Sequence, residues 1–186
     1  MLEFKKVYKS FENPVLEDVN FKIEKGESLA ILGESGIGKT TIFNLILGFI
    51  KPDRGEVINK FEKISTVFQE NRLIEEISAL NNLKMVTDKR DEELNNLLCD
   101  LKIENPMELV KNLSGGMKRR VAIARALAFG GDLFLLDEPI QGLDIETRNL
   151  VIEKILDMTE KKSIILISHD IEDLRDFKID SRLELK

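Results

Sequence analysis

The sequence predicts an α/β fold: a mostly parallel sheet flanked by helices, an antiparallel β part near the amino end, and a short inserted α-helical block. Three observations predict it. Apolar runs at Leu29–Leu32, Leu133–Leu136 and Ser163–Ile167 alternate with stretches of helical period, the pattern of strands covered on both faces. Residues 2–8 and 15–23 instead alternate polar with apolar, Val15, Val19, Phe21 and Ile23 recurring between polar neighbours, as half-buried strands do. Finally, Gly33, Gly36 and Gly38 separate the first apolar run from a helical pattern carried by Ile42, Leu45 and Ile46.

The elements follow in order. Glu24-Lys25-Gly26-Glu27 turns the chain into the first apolar strand, and the helix opening at Lys39 ends near Gly48. Pro52-Asp53-Arg54-Gly55 is a turn, Glu56 to Ile58 is extended, and Phe61 to Phe68 holds a strand ending at Gln69. Residues 70–112, rich in Leu, Asn, Glu and Asp, read as helices: one capped by Ser78, one capped by Asp91, and a short third starting at Asn105-Pro106. A helix from 115 to about Phe129 is broken by Gly130-Gly131, and Asp132 precedes the second apolar run. A helix from about Asp144 to Lys161, the third run, a short helix from about Asp170 and a strand at Arg182–Leu185 complete the chain. The reading is one domain over 1–186, with 1–69 and 115–186 as core and 70–114 as helical subdomain.

Composition narrows the function classes. A 42% hydrophobic share suits a folded globular chain of 186 residues. A net charge of −6 argues against nucleic-acid binding by bulk electrostatics, and Lys118-Arg119-Arg120 is expected to be a solvated face. The lone Cys99 is expected to be a small core residue, in keeping with a reducing compartment. No leader-type apolar segment opens the chain, and no run nears the roughly 20 apolar residues that span a bilayer.

Three stretches carry chemistry. Gly33 to Thr40 reads G-x-x-x-x-G-K-[ST] between strand and helix. Its glycines let successive backbone N–H groups face one anion, and the helix points its positive end at the same spot. Lys39 adds a mobile charge for outer phosphates and Thr40 a hydroxyl for Mg²⁺. A Gly-rich turn with a surface lysine is the plain alternative, and it leaves the coincidence of strand, spacing and helix unexplained. Leu133 to Pro139 ends a buried strand in Asp137 and Glu138, at the carboxyl edge where such sheets bind ligands. One carboxylate is expected to hold Mg²⁺ through water and Glu138 to face an attacking water; alone, the pair reads equally as two solvated acids. Leu113-Ser114-Gly115-Gly116-Met117 opens a helix. Ser114 suits an N-cap. Two glycines there weaken the helix and leave bare N–H groups, a second anion cradle.

With these motifs in this order, the chain resembles an ATP-binding cassette (ABC) ATPase, a P-loop NTPase, over nearly its whole length. Gly33, Glu34, Ser35, Gly36, Ile37, Gly38, Lys39 and Thr40, with Thr41 adjoining, match Walker A. Leu113 to Met117 match the signature, Leu133 to Glu138 match Walker B, Gln69 matches the Q-loop and Gly142-Leu143-Asp144 the D-loop. His169, 31 residues after Glu138, matches the switch histidine. Phe11 is placed like the aromatic that stacks on adenine, with Tyr8 as competitor. Arg119 stands where the family often has glutamine, and no regulatory carboxy-terminal domain is expected.

The resemblance implies ATP and Mg²⁺ as cofactors, the metal held by Thr40, Gln69 and Asp137. Glu138, His169 and Lys39 would be catalytic. It implies a head-to-tail homodimer that closes on ATP, Ser114, Gly115 and Gly116 acting in trans and Asp144 lying across the interface. It also implies integral membrane permease subunits as partners and a cytoplasmic position at the inner face of the cell membrane. Val67 to Leu73, the LSGGM signature and Leu143 to Arg148 are similar to importer cassettes of the nitrate, sulfonate and taurine type. Alternatives are an exporter cassette on a separate chain, a soluble ABC ATPase acting on nucleic acid or ribosomes, and a non-catalytic interaction module.

Overall fold

The computed structural model describes residues 1–185. In chain order the elements are β1 (Leu2–Ser10), β2 (Pro14–Ile23), β3 (Ser28–Leu32), α1 (Lys39–Ile46), β4 (Arg54–Asn59), β5 (Ile64–Val67), α2 (Ala79–Lys84) and α3 (Asp91–Asp100). Then come α4 (Gly115–Phe129), β6 (Leu133–Asp137), α5 (Ile145–Met158), β7 (Ser163–Ser168) and β8 (Ser181–Glu184), with 3₁₀ turns at Val110–Asn112 and Glu172–Leu174. They form a three-stranded sheet, ordered β2-β1-β4, and a five-stranded sheet, ordered β5-β6-β7-β3-β8. The expected α/β architecture, with its antiparallel part, is observed.

The chain divides into two compact units. The first holds Met1–Ile64, Gly131–Leu135 and the stretch from Lys161 onward. In it β1 pairs antiparallel with β2 and β4, and β3 pairs in parallel with β7 and β8. Every residue of β3 and β7 is buried, which is why their sequences run apolar without alternation. β1 alternates because only one of its faces, Leu2, Phe4 and Val7, is buried.

β1 is kinked at Lys6, whose φ is +47°, and its register with both neighbours shifts there. Opposite the kink lies Gly55, φ +80°, where a Cβ would stand 2.0 Å from the Lys6 carbonyl oxygen and 2.3 Å from that of Lys5. Only glycine fits. Gly55→Ala should cost about 1–3 kcal/mol for the backbone conformation alone, and more for the overlap. A urea midpoint lowered at unchanged slope would show it; an unshifted midpoint would refute it.

The second unit holds Ser65–Gly130 and Leu136–Glu160. Here α2 begins as expected, the Ser78 hydroxyl accepting from Asn81 N–H at 3.2 Å. Three expectations about residues 91–106 fail. Asp91 does not cap α3: Arg90 holds that position without a side-chain bond, and the Asp91 carboxylate accepts from Lys84 Nζ at 2.9 Å. Asn105-Pro106 starts no helix. The carbonyls of Pro106 and Glu108 accept from Leu80 and Ala79 N–H, so they are unavailable to a helical ladder, and only the 3₁₀ turn at Val110–Asn112 forms. Cys99 is exposed: α3 buries Leu94, Leu97 and Leu98, and a residue two places past Leu97 faces the other way. Among the described residues no helix is long and apolar enough to cross a membrane.

Candidate functional site

In the first unit, β3 delivers the chain to Gly33 and the loop returns at Gly38. Gly38 occupies the N-cap of α1 with φ +114°, and it offers no capping side chain. A Cβ on Gly38 would approach Leu16 Cδ2 to 2.9 Å and Val15 Cγ1 to 3.0 Å. The first amides of α1 have no intrahelical acceptors, so they are available to an anion. Lys39 is buried, and its Nζ donates to the carbonyls of Gly33 (2.5 Å) and Glu34 (2.8 Å). Thr40 is exposed and Thr41 buried; Glu34, Ser35 and Gly36 are exposed and Ile37 half-buried. The loop therefore wraps its own lysine and leaves Thr40 exposed beside it.

His169 follows β7 and is exposed. Together with Gly33, Glu34, Asp170 and Glu184 it lines a cavity of about 360 Å³. The only histidine of the sequence thus shares a recess with the glycine loop, though 136 residues separate it from Gly33. Phe11, 62% exposed, sits on a turn closed by its N–H to the Asn13 carbonyl. Tyr8 is half-buried. Lys9 Nζ lies 5.5 Å from the centre of the Phe11 ring and 2.6 Å from Asp53 Oδ1, a cation over one aromatic face that the sequence reading missed.

In the second unit, Asp137 and Glu138 end β6 and are both buried. Glu138 is left-handed, φ +46°, a conformation that costs a non-glycine residue about 1–2 kcal/mol and clusters at functional sites. Gln69, after β5, is exposed. Ser114 caps α4, its hydroxyl accepting from Met117 N–H at 3.3 Å. Gly115 has open space where a Cβ would be, and at Gly116 a Cβ would only touch Leu143 at 3.6 Å. Asp144 caps α5 by accepting from Thr147 N–H at 2.9 Å, and that bond holds its carboxyl below the usual aspartate range.

A family model described as ABC transporter matches residues 16–141, a span that holds the glycine loop, Gln69, Ser114 and the Asp137–Glu138 pair. The chain belongs to the ABC transporter family.

The cassette is 38% identical over 187 residues to the spermidine/putrescine import ATP-binding protein PotA of Fusobacterium nucleatum, covering 88% of this chain and 49% of that protein. It is 33% identical over 196 residues to the nitrate import ATP-binding protein NrtD of Synechococcus elongatus, covering 92% and 72%. It is also 33% identical over 202 residues to the macrolide export ATP-binding/permease protein MacB of Pasteurella multocida, covering 92% and 31%. The chain thus spans about half the length of PotA and less than a third of MacB. Its fold matches a dimeric ATP-binding cassette solved in a post-hydrolysis state with ADP and Pi, at a TM-score of 0.84, 30% identity, and 100% and 94% coverage. The expected kinship with cassettes of the nitrate-importer type is borne out.

The basic run after Met117 departs from expectation. Lys118 and Arg120 are half-buried and Arg119 is buried, so no solvated face exists. Lys118 Nζ pairs with Glu75 at 2.7 Å, and Arg120 donates to the carbonyls of Leu101 and Lys102 at 2.8 Å each. Arg119 donates to backbone carbonyls of the Gln69 and Glu138 stretches. Helix α4 also buries Val121, Ala122, Ile123 and Ala124. A charge in a helix covered on most sides was the signal that Arg119 points inward.

Proposed function

We propose that this cassette binds and hydrolyses ATP to energise a membrane transporter, working as a head-to-tail dimer with separate integral membrane subunits at the inner face of the cell membrane. The observation that carries the reading is the glycine loop with uncapped helical amides and a buried lysine, sharing its cavity with the single histidine. The cavity brings the imidazole beside Gly33 and Glu34, the two loop residues whose carbonyls hold the Lys39 ammonium, and all three group types (N–H dipoles, ammonium and imidazole) recognise phosphate.

In this mechanism Lys39 and the loop amides bind the β- and γ-phosphates and offset the charge of the transition state. Glu138 takes a proton from the attacking water, and His169 orients that water against the γ-phosphate. Phe11 stacks on adenine. Ser114, Gly115 and Gly116 grip the γ-phosphate of the ATP held by the other copy, and Asp144 lies across that interface. The donors Thr40 hydroxyl, Gln69 amide oxygen and Asp137 carboxylate are hard oxygens that fit Mg²⁺. Bound there, Mg²⁺ would neutralise phosphate charge.

We read the transport direction as import, on the likeness of Val67–Leu73 and Leu143–Arg148 to importer cassettes and on the NrtD and PotA relatives. Export is the second reading, favoured by the MacB relative. The purified protein should release phosphate from ATP with a specific activity that falls on dilution, as a dimer requires. Activity per chain independent of concentration down to isolated chains would refute the dimer. No phosphate release with Mg²⁺ and ATP saturating would refute the ATPase. Membrane proteins that co-purify, reconstituted in vesicles, decide the direction.

A further inference from the structure

Arg119 is the fifth residue of α4 and 5% exposed. Its Nε donates to the Pro139 carbonyl at 3.0 Å. One terminal nitrogen donates to the carbonyls of Asp137 and Glu138, 2.6 Å each. The other donates to those of Phe68 at 2.5 Å and Gln69 at 3.3 Å, and to Asn71 Oδ1 at 3.3 Å. Three consecutive carbonyls at and after the end of β6 and two after the end of β5 therefore converge on one cation. The middle residue of the first group, Glu138, is in the left-handed conformation that non-glycine residues adopt only when their surroundings impose it.

The guanidinium is suited to this task because it presents five N–H donors in a fixed plane. Burial pulls its pKa down, and the nearby Asp137 and Glu138 charges push back; it stays charged, since arginine does not deprotonate in proteins. A buried cation without partners would be expelled. The carbonyls hold it in place, and it holds them. A second arginine of α4 extends the clamp: Arg125 donates to the carbonyls of Arg72 (2.6 Å) and Asn71 (3.1 Å).

We propose that Arg119 is a positioning residue that fixes the backbone turn carrying Glu138 and locks it to the Phe68–Gln69 segment, so that a displacement of Gln69 is passed to Glu138. This rests on the ATPase reading of Glu138. A lysine here has three donors radiating from one nitrogen and reaches fewer of the carbonyls; a methionine reaches none.

The test compares Arg119→Met and Arg119→Lys with the parent chain. In Arg119→Met, kcat falls about tenfold to a hundredfold, the loss that misplacing a reacting group brings, while KM for ATP and the affinity for a fluorescent nucleotide stay at the parent values. Arg119→Lys falls between. Hydrogen exchange supplies a readout free of turnover: amides of 68–72 and of 137–141 speed up together in both variants. Parent-like kcat, or exchange that rises in one segment alone or in neither, overturns the proposal. A kcat loss accompanied by an equal loss of nucleotide affinity also overturns it. If Arg119→Met does not fold, Arg119→Lys is judged by the same criteria. A parent chain that hydrolyses no ATP sinks the ATPase reading, while the exchange data still decide whether Arg119 couples the two segments.

Discussion

Glu138→Gln should bind ATP like the parent and turn over about 10²–10⁴ times more slowly, the usual worth of a positioned general base. The substitution is near-isosteric. It keeps the buried volume at the end of β6 and the Glu138 carbonyl that Arg119 holds, so the turn survives. What it removes is the capacity to accept a proton. Because the proposed function assigns the phosphates to Lys39 and the loop amides, affinity should be retained. With the γ-phosphate uncleaved, the charge that draws two signature helices onto two nucleotides persists, and a closed dimer should accumulate. Single-turnover phosphate release measures the first effect and light scattering with saturating ATP and Mg²⁺ the second. Parent-rate release would place the base elsewhere; a monomer under those conditions would contradict the shared pocket.

Lys39→Ala should weaken nucleotide binding roughly tenfold to a hundredfold, since a hydrogen bond to a charged group contributes about 1.5–3 kcal/mol and each 1.4 kcal/mol is a factor of ten. The ammonium donates to the carbonyls of Gly33 and Glu34. These are neutral acceptors, and under the proposed function phosphate oxygens would replace them with charge-assisted bonds. Removing the ammonium leaves the two carbonyls near an incoming polyanion with nothing to offset their dipoles. Turnover should fall further than binding, because charge on the transferring group grows toward the transition state. Titration with a fluorescent nucleotide and steady-state hydrolysis separate the two losses. Unchanged affinity would mean that the glycine loop binds no phosphate.

Most elements of the fold were legible because their signals are local. Buried strands β3, β6 and β7 carry unbroken apolar runs, β1 and β2 alternate, and glycines mark the loop and turns. One helix failed to form because its backbone partners come from afar. Asn105-Pro106 looks like a helix start, but its neighbouring carbonyls serve the amino end of α2.

The sequence by itself determined the order of most strands and helices, the glycine loop before α1, the paired carboxylates at the end of β6 and the Ser114 cap of α4. Each of these depends on spacing along a few residues. Only the tertiary structure decided that Cys99 faces outward, that His169 joins the glycine loop in one cavity, and that Arg119 is buried among the carbonyls of Phe68, Gln69, Asp137, Glu138 and Pro139. The physical reason is that those acceptors are backbone oxygens. Every residue carries one, so a site built from them leaves no mark in the choice of side chains, and folding alone brings them around a cation.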